Sequence, residues 1–305
     1  MTSWFDRYLK GLDTGVESWP TVQVQGTDGQ WRGEVDFPAT GGPVGQLALG
    51  PDGSLGVTTP DGASNYVESL APAVPGQPDV PGTHVTFTTP PLSERLAITG
   101  QPILDLWVTL DRPDAHLAAE LQAFDEDHEA MRLGRAVGYR SMQHLDPFVN
   151  NLFVQPEVRL PAINEPVHVY LRFMPMDMVV PEGGYLRLNI AGSQIYGTWD
   201  DVFRPSAASG TATRVSVLHD CDHPSVLRFL MPRADADLLN VLEMGATEDS
   251  EPLHANPGVS PPTTGGGMAT APVCGRAPER IDLLGPEKEY TSPGGGVTRP
   301  EHGKP

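Results

Sequence analysis

The sequence predicts a mainly β protein: an antiparallel sandwich preceded by one short helix and followed by a loose tail. Three observations carry this. Apolar and polar residues alternate with period two in several runs, the pattern of strands with one face on a core. Turn signals separate those runs. Gly and Pro together supply 65 of the 305 residues (33 and 32), a frequency that suits turns and strands better than long helices. About ten strand candidates with one helix exclude a βαβ series and favour two packed antiparallel sheets.

Each element follows from its residues. Trp4, Phe5, Tyr8 and Leu9 form one apolar stripe at helical spacing. Ser3 and Asp6 resemble a capping box, and Gly11 is a plausible stop. Val22-Gln23-Val24-Gln25 alternates into the turn Thr27-Asp28-Gly29, before Trp31. Leu47 to Leu49 and Leu55 to Val57 flank Pro51-Asp52-Gly53-Ser54, a hairpin signature. Residues 59–83, rich in Pro and Gly, are expected to form a long surface connection.

The clearest pattern comes next. Val85 to Thr88 is a short strand, Leu104, Leu106, Val108 and Leu110 alternate with polar neighbours, and Leu117, Ala119, Leu121 and Ala123 alternate again. Met131 to Tyr139 continues as a mixed strand. Residues 141–165 are irregular. Val167 to Phe173, Leu186 to Ile190, Val215 to Leu218 and Val226 to Leu230 complete the set. Beyond residue 245 the composition dilutes around one apolar patch, Ile281 to Leu284, and a mobile tail is expected.

The formal charge of −19 argues against nucleic acid or an anionic membrane as partner, since both need a basic footprint. No stretch reaches the ~20 apolar residues of a membrane span. The N-terminus lacks the pattern of a signal peptide, which favours the cytoplasm. Cys221 and Cys274 could form one bridge or remain two buried thiols.

Chemistry is hard to find. A nucleophile elbow requires G-x-S-x-G, and both near matches, at Ser64 and Ser260, lack the closing Gly and read as loop serines. His219-Asp220-Cys221-Asp222-His223 is the densest set of metal-ligand types, but two His four apart at a strand end do not converge. Asp125, Glu126, Asp127 and Glu129 lack the rhythm of a calcium loop and read as a hairpin tip. Tyr196 and Trp199 could line a sugar site but more often pack. No catalytic, cofactor-binding or metal-binding residue can be assigned, and no cofactor is expected.

Several phrases together resemble the α/β-hydrolases of the X-Pro dipeptidyl-peptidase and cocaine-esterase type. Trp4-Phe5-Asp6-Arg7-Tyr8-Leu9-Lys10-Gly11 resembles the last helix of the hydrolase domain there. Val22-Gln23-Val24 with Trp31-Arg32, and Leu47 to Leu55 around Asp52-Gly53, follow in order. Phe87-Thr88-Thr89-Pro90-Pro91-Leu92, then Ile98-Thr99-Gly100-Gln101-Pro102, resemble "F-x-S-x-P-L" and "I-x-G-x-P". Gly183 to Leu188 resembles "G-H-R-L-R-L", with Gly184-Tyr185 in place of His-Arg. His219 with His223-Pro224-Ser225 matches the closing "H-x-x-x-H-P-S".

The resemblance covers about residues 3–232. It implies a galactose-binding-like jelly roll, residues 84–245, after a strand- and turn-rich segment, 16–83, and a helix, 1–15, that in relatives lies on a hydrolase core. Residues 246–305 have no counterpart. Trp4, Phe5, Tyr8 and Leu9 are then an expected interface with a hydrolase domain, joined in cis or in trans, and oligomers are expected. The implied activity is serine-type hydrolysis of an acyl bond, peptide or ester, and the triad lies in the domain this sequence lacks. The competing reading is a free-standing module that binds a glycan or a peptide.

Overall fold

The computed structural model describes residues 2–37, 42–56, 61–68, 81–113, 115–141, 162–192, 212–232, 238–239 and 273–274. Among the described residues one α-helix, α1 (Thr2–Lys10), leads through a 3-10 turn at Val16–Ser18 into fifteen strands. In chain order these are β1 (Val22–Gln25), β2 (Trp31–Glu34), β3 (Val44–Leu49), β4 (Leu55–Gly56), β5 (Ala63–Val67), β6 (His84–Thr88), β7 (Leu96–Leu110) and β8 (His116–Phe124). There follow β9 (Ala130–Ser141), β10 (Val167–Arg172), β11 (Met176–Val180), β12 (Tyr185–Ala191), β13 (Arg214–Leu218), β14 (Val226–Leu230) and β15 (Leu238–Leu239).

Two antiparallel sheets form the sandwich. The larger runs β4-β3-β14-β7-β13-β5, with β10 and β11 on the other edge of β7; the smaller runs β6-β12-β8-β9. Leu104, Leu106, Val108 and Leu110 of β7 face Leu117, Leu121, Leu186, Leu188 and Ile190 of the smaller sheet in one buried cluster. The period-two runs therefore mark one inward face per strand, as their patterning requires. A third small sheet, β1-β2-β15, packs beside them.

The recurring phrases are joints of this sandwich. β7 is fifteen residues long, and it serves two partners on one edge by bending at Ile98-Thr99-Gly100-Gln101-Pro102. Gly100 adopts φ 77°, β11 pairs with residues 96–100 and β10 with 103–108. The β14 register also shifts between Arg228 and Leu230 at this place. A glycine at positive φ beside a proline that cannot donate is how a strand is bulged and re-aimed.

The "P-L" and "G-G-Y-L" phrases meet each other. Gly183 N–H donates to the Leu92 carbonyl and Leu92 N–H to the Gly184 carbonyl, each 2.8 Å. Thr89 N–H donates to the Leu186 carbonyl, and Leu186 N–H to Thr89 Oγ1, both at 3.0 Å. Ser225 of the closing phrase offers Oγ to Trp107 N–H at 3.1 Å.

Four expectations change. Residues 59–83 are not wholly a surface connection, because β5 lies among them and its Tyr66 is fully buried. β11 escaped the pattern because Met176 to Val180 is short, follows Met174-Pro175, and alternates only as far as Asp177 before the apolar Met178-Val179-Val180. Ser3 is no N-cap: α1 starts at Thr2, so Ser3 lies inside the helix and its carbonyl accepts from Thr14 Oγ1 at 2.9 Å. Gly11 does end the helix, at φ 71° with its N–H on the Arg7 carbonyl at 3.1 Å. The tail is also not uniformly loose, since Val273 is buried against Ala48 and Val226. Ser260, Tyr196, Trp199 and Ile281 to Leu284 lie outside the described residues.

Candidate functional site

Polar and aromatic side chains concentrate at four places. The first is a buried charge cluster where β1 and β2 meet the sandwich. Arg32 of β2 donates from Nε to Glu34 Oε1 at 2.8 Å, from Nη1 to Asp177 Oδ1 at 2.7 Å and from Nη2 to Thr99 Oγ1 at 2.7 Å. Nη2 also pairs with Asp177 Oδ2. Burial alone would lower the Arg32 pKa, but Asp177 and Glu34 outweigh it and hold the guanidinium above its usual value. The fork of a single Arg thus joins β2, β7 and β11. Thr27 adds a reciprocal pair, its Oγ1 accepting from Val179 N–H at 2.8 Å and donating to the Val179 carbonyl at 2.9 Å. This is an anchor with every donor engaged inward, and it presents no open coordination or nucleophile.

The second place is His219, at the end of β13. Its ring is fully buried, edge-on to Phe87 with centroids 5.6 Å apart, and its Nε2 lies 2.9 Å from Ser64 Oγ. Nδ1 has no partner of good hydrogen-bond geometry among the described residues. Burial pushes the imidazole down to about 4, against the Leu49 carbonyl, Asp52 and Asp220, which favour the charged form. His219 is therefore neutral at pH 7. Ser64 is not a loop serine: it sits on β5, whose pairing with β13 sets Ser64 opposite Val217. A serine within a paired strand has neither the strained turn nor the convergent backbone N–H groups of a nucleophile elbow.

The third is the outer face of the larger sheet. Asp105 accepts from His168 Nε2 and, at 3.0 Å, from Arg228 Nη2. Trp107 stacks on His168 with centroids 4.4 Å apart and meets His223 edge-on at 5.0 Å. His223 turns back to Asp220, its Nδ1 3.0 Å from Oδ1. The two histidines of the His219 to His223 motif thus part company, one into the core and one onto Trp107. Among the described residues no group of three or more His, Cys, Asp or Glu is arranged to hold a metal ion. Asp125 forms a hairpin tip, its Oδ1 accepting from Asp127 and Glu129 N–H at 3.0 and 2.9 Å.

The fourth is α1. None of its residues is buried. Trp4 packs on Phe5 and Tyr8, with ring centroids 5.3 Å and 4.8 Å away. Trp4 is 49 % exposed and Leu9 76 %. Its ties run to the following loop, through the Arg7–Glu17 ion pair and the Thr14–Ser3 hydrogen bond. An uncovered aromatic stripe on a nine-residue helix is the feature of the described surface that most calls for a partner.

Residues 14–226 match the model of the X-Pro dipeptidyl-peptidase C-terminal non-catalytic domain. The chain belongs to that family. Among curated proteins, a candidate Xaa-Pro dipeptidyl-peptidase of Rhodopirellula baltica is 32 % identical over 137 residues, 40 % of this chain and 21 % of that protein. Among solved structures, an aminopeptidase of a marine-sediment Thaumarchaeota archaeon superposes with TM-score 0.58 and 16 % identity, covering 75 % of this chain and 43 % of that one. An α-amino acid ester hydrolase gives TM-score 0.58 and 18 % identity over 75 % and 44 %. A CocE/NonD family hydrolase of Staphylococcus aureus gives TM-score 0.57 and 19 % identity over 76 % and 45 %. At such identities the structural likeness establishes the fold.

The chain spans about a fifth of the curated relative and under half of each solved structure. The matched part is a C-terminal non-catalytic domain of the X-Pro dipeptidyl-peptidase type. The matched span begins just after α1 and ends in β14, so the helix lies outside the part that defines the family. Among the described residues no helix is long and apolar enough to cross a membrane.

Proposed function

We propose that this chain is the sandwich half of a serine hydrolase that cleaves a peptide or ester acyl bond only together with an α/β-hydrolase domain, supplied in cis or in trans. The carrying observation is α1, whose apolar stripe is left exposed by the described residues. A helix of nine residues is marginal in water by itself, and Trp4, Phe5, Tyr8 and Leu9 offer a ready apolar face to a second domain. In this reading the triad comes from that domain. The chain's part is to supply a rigid jelly-roll wall beside it, and neither Ser64 nor His219 takes part in chemistry. The cytoplasm and an oligomer of the combined enzyme belong to the same proposal.

The experiment is co-expression with the α/β-hydrolase polypeptide encoded next to the chain, followed by size exclusion and hydrolysis of a Gly-Pro anilide and a simple aryl ester. A stable complex that turns over either substrate, with association lost on Trp4→Asp, is the expected result. A soluble monomer that ignores the hydrolase and binds a glycan or peptide instead would replace this reading with a free-standing binding module.

A further inference from the structure

The turn between β13 and β14 carries a covalent feature that the hydrolase reading does not use. Cys221 and Cys274 are joined, with Cα atoms 5.5 Å apart and a sequence separation of 53 residues. Three observations set this bridge apart from a core staple. Cys221 is an exposed residue on the turn. Cys274 adopts φ 50°, a left-handed conformation that a non-glycine residue holds only where its surroundings enforce it. Val273, next to it, is buried against Ala48 of β3 and Val226 of β14 in a small cluster separate from the main core.

The main core does not depend on that cluster. Leu47, Leu227 and Phe229, on the inward face of the same strands, belong to the large cluster between the sheets, whereas Ala48 and Val226 point outward beneath Val273. Opening the bridge would release the constraint on Cys274 and uncover Ala48 and Val226, leaving the sandwich intact. Exposed bridges are the more readily reduced ones, and among them are the regulatory bridges.

We propose that Cys221–Cys274 is a redox-operated latch that holds Val273 over the outer face of β3 and β14. Its reductant is a dithiol. One thiolate of the dithiol attacks the Cys221 sulfur, the S–S bond breaks, and Cys274 leaves as a thiolate that takes up a proton. The second thiol of the reductant then displaces Cys221 from the mixed disulfide. The reductant ends as its own disulfide, and two electrons and two protons reside on Cys221 and Cys274. The latch is independent of whether a hydrolase domain docks on α1.

The test uses the full chain purified without reductant, labelled on Ala and Val methyls, and titrated with dithiothreitol. No reactive thiol is expected before reduction and two after it. Nuclear Overhauser contacts from Val273 to Ala48 and Val226 should vanish on reduction, while the methyl shifts of Val108 and Val215 in the main core stay in place. Cys274→Ser should reproduce the reduced spectrum without reductant. Two free thiols in the air-oxidised chain, persistence of the Val273 contacts after reduction, or cooperative unfolding of the whole sandwich on reduction would each overturn the latch.

Discussion

His219 is the residue whose chemistry and packing conflict most. Its ring is fully buried and its pKa is pushed down to about 4 by burial, below the value near 6.5 of an unfolded chain. A group whose folded pKa is depressed contributes stability that is whole above the unfolded pKa and is lost as pH falls toward the folded one. Unfolding free energy is therefore expected to drop between about pH 6.5 and pH 4, by up to about 3 kcal/mol from this residue at 1.36 kcal/mol per unit. Urea titrations of the wild type and His219→Gln across that window check this. A wild-type slope unchanged by the substitution would remove His219 as its source. Arg32 makes the opposite case, a buried charge fully paired. Arg32→Met leaves Asp177 and Glu34 buried without their cation and is expected to cost about 3–5 kcal/mol, read by the same titration. Neither role was visible in sequence. His219 appeared beside His223 as a candidate ligand pair, and Arg32 appeared only in a phrase; which way a strand-end side chain points depends on a partner strand 155 residues away at Ser64.

At the scale of elements, the alternating runs located most strands, because a half-buried strand writes its inward face into every second residue. β11 and β5 were hidden for physical reasons. β11 is only five residues long, and although Asp177 interrupts it, Met176, Met178, Val179 and Val180 are all buried, so its alternation breaks down at Val179-Val180. β5 lies in a Pro/Gly-rich stretch where only Tyr66 is buried. The Gly184-Tyr185 pair, which departs from the resembling phrase, has a local packing reason. A Cβ built on Gly184 would lie 2.5 Å from the Phe124 carbonyl and 3.1 Å from that of Pro181, both backbone atoms that cannot swing aside. Gly184→Ala is expected to destabilise the chain by about 1–3 kcal/mol through this overlap, measured as a lowered midpoint of denaturation. A midpoint equal to the wild type would mean that the turn opens freely. Tyr185, by contrast, stacks on Phe124 at 4.6 Å with Arg187 over the same ring, so the turn is closed from both sides.

At the scale of the whole molecule, α1 is the described element that asks for a second domain. The sandwich closes its own core, and its charge clusters are paired internally at Arg32 and Asp105. The α1 stripe is left exposed by the described residues. Trp4→Asp is therefore expected to leave the thermal midpoint within a degree or two of the wild type, since an exposed substitution costs about 0.5 kcal/mol or less, while abolishing association with the hydrolase domain. Substrate preference between peptide and ester was not legible in this sequence, because none of the described side-chain clusters forms a pocket chemistry that would select one. The central claim is that chemistry resides outside this chain. Its most direct test exposes the purified chain alone to a fluorophosphonate probe and to a Gly-Pro anilide, then repeats both with the hydrolase domain added. The expected result is neither labelling nor turnover by the chain alone and both in the combined sample, with the label on the hydrolase domain. Turnover by the isolated chain, with the label on one of its own serines, would contradict it.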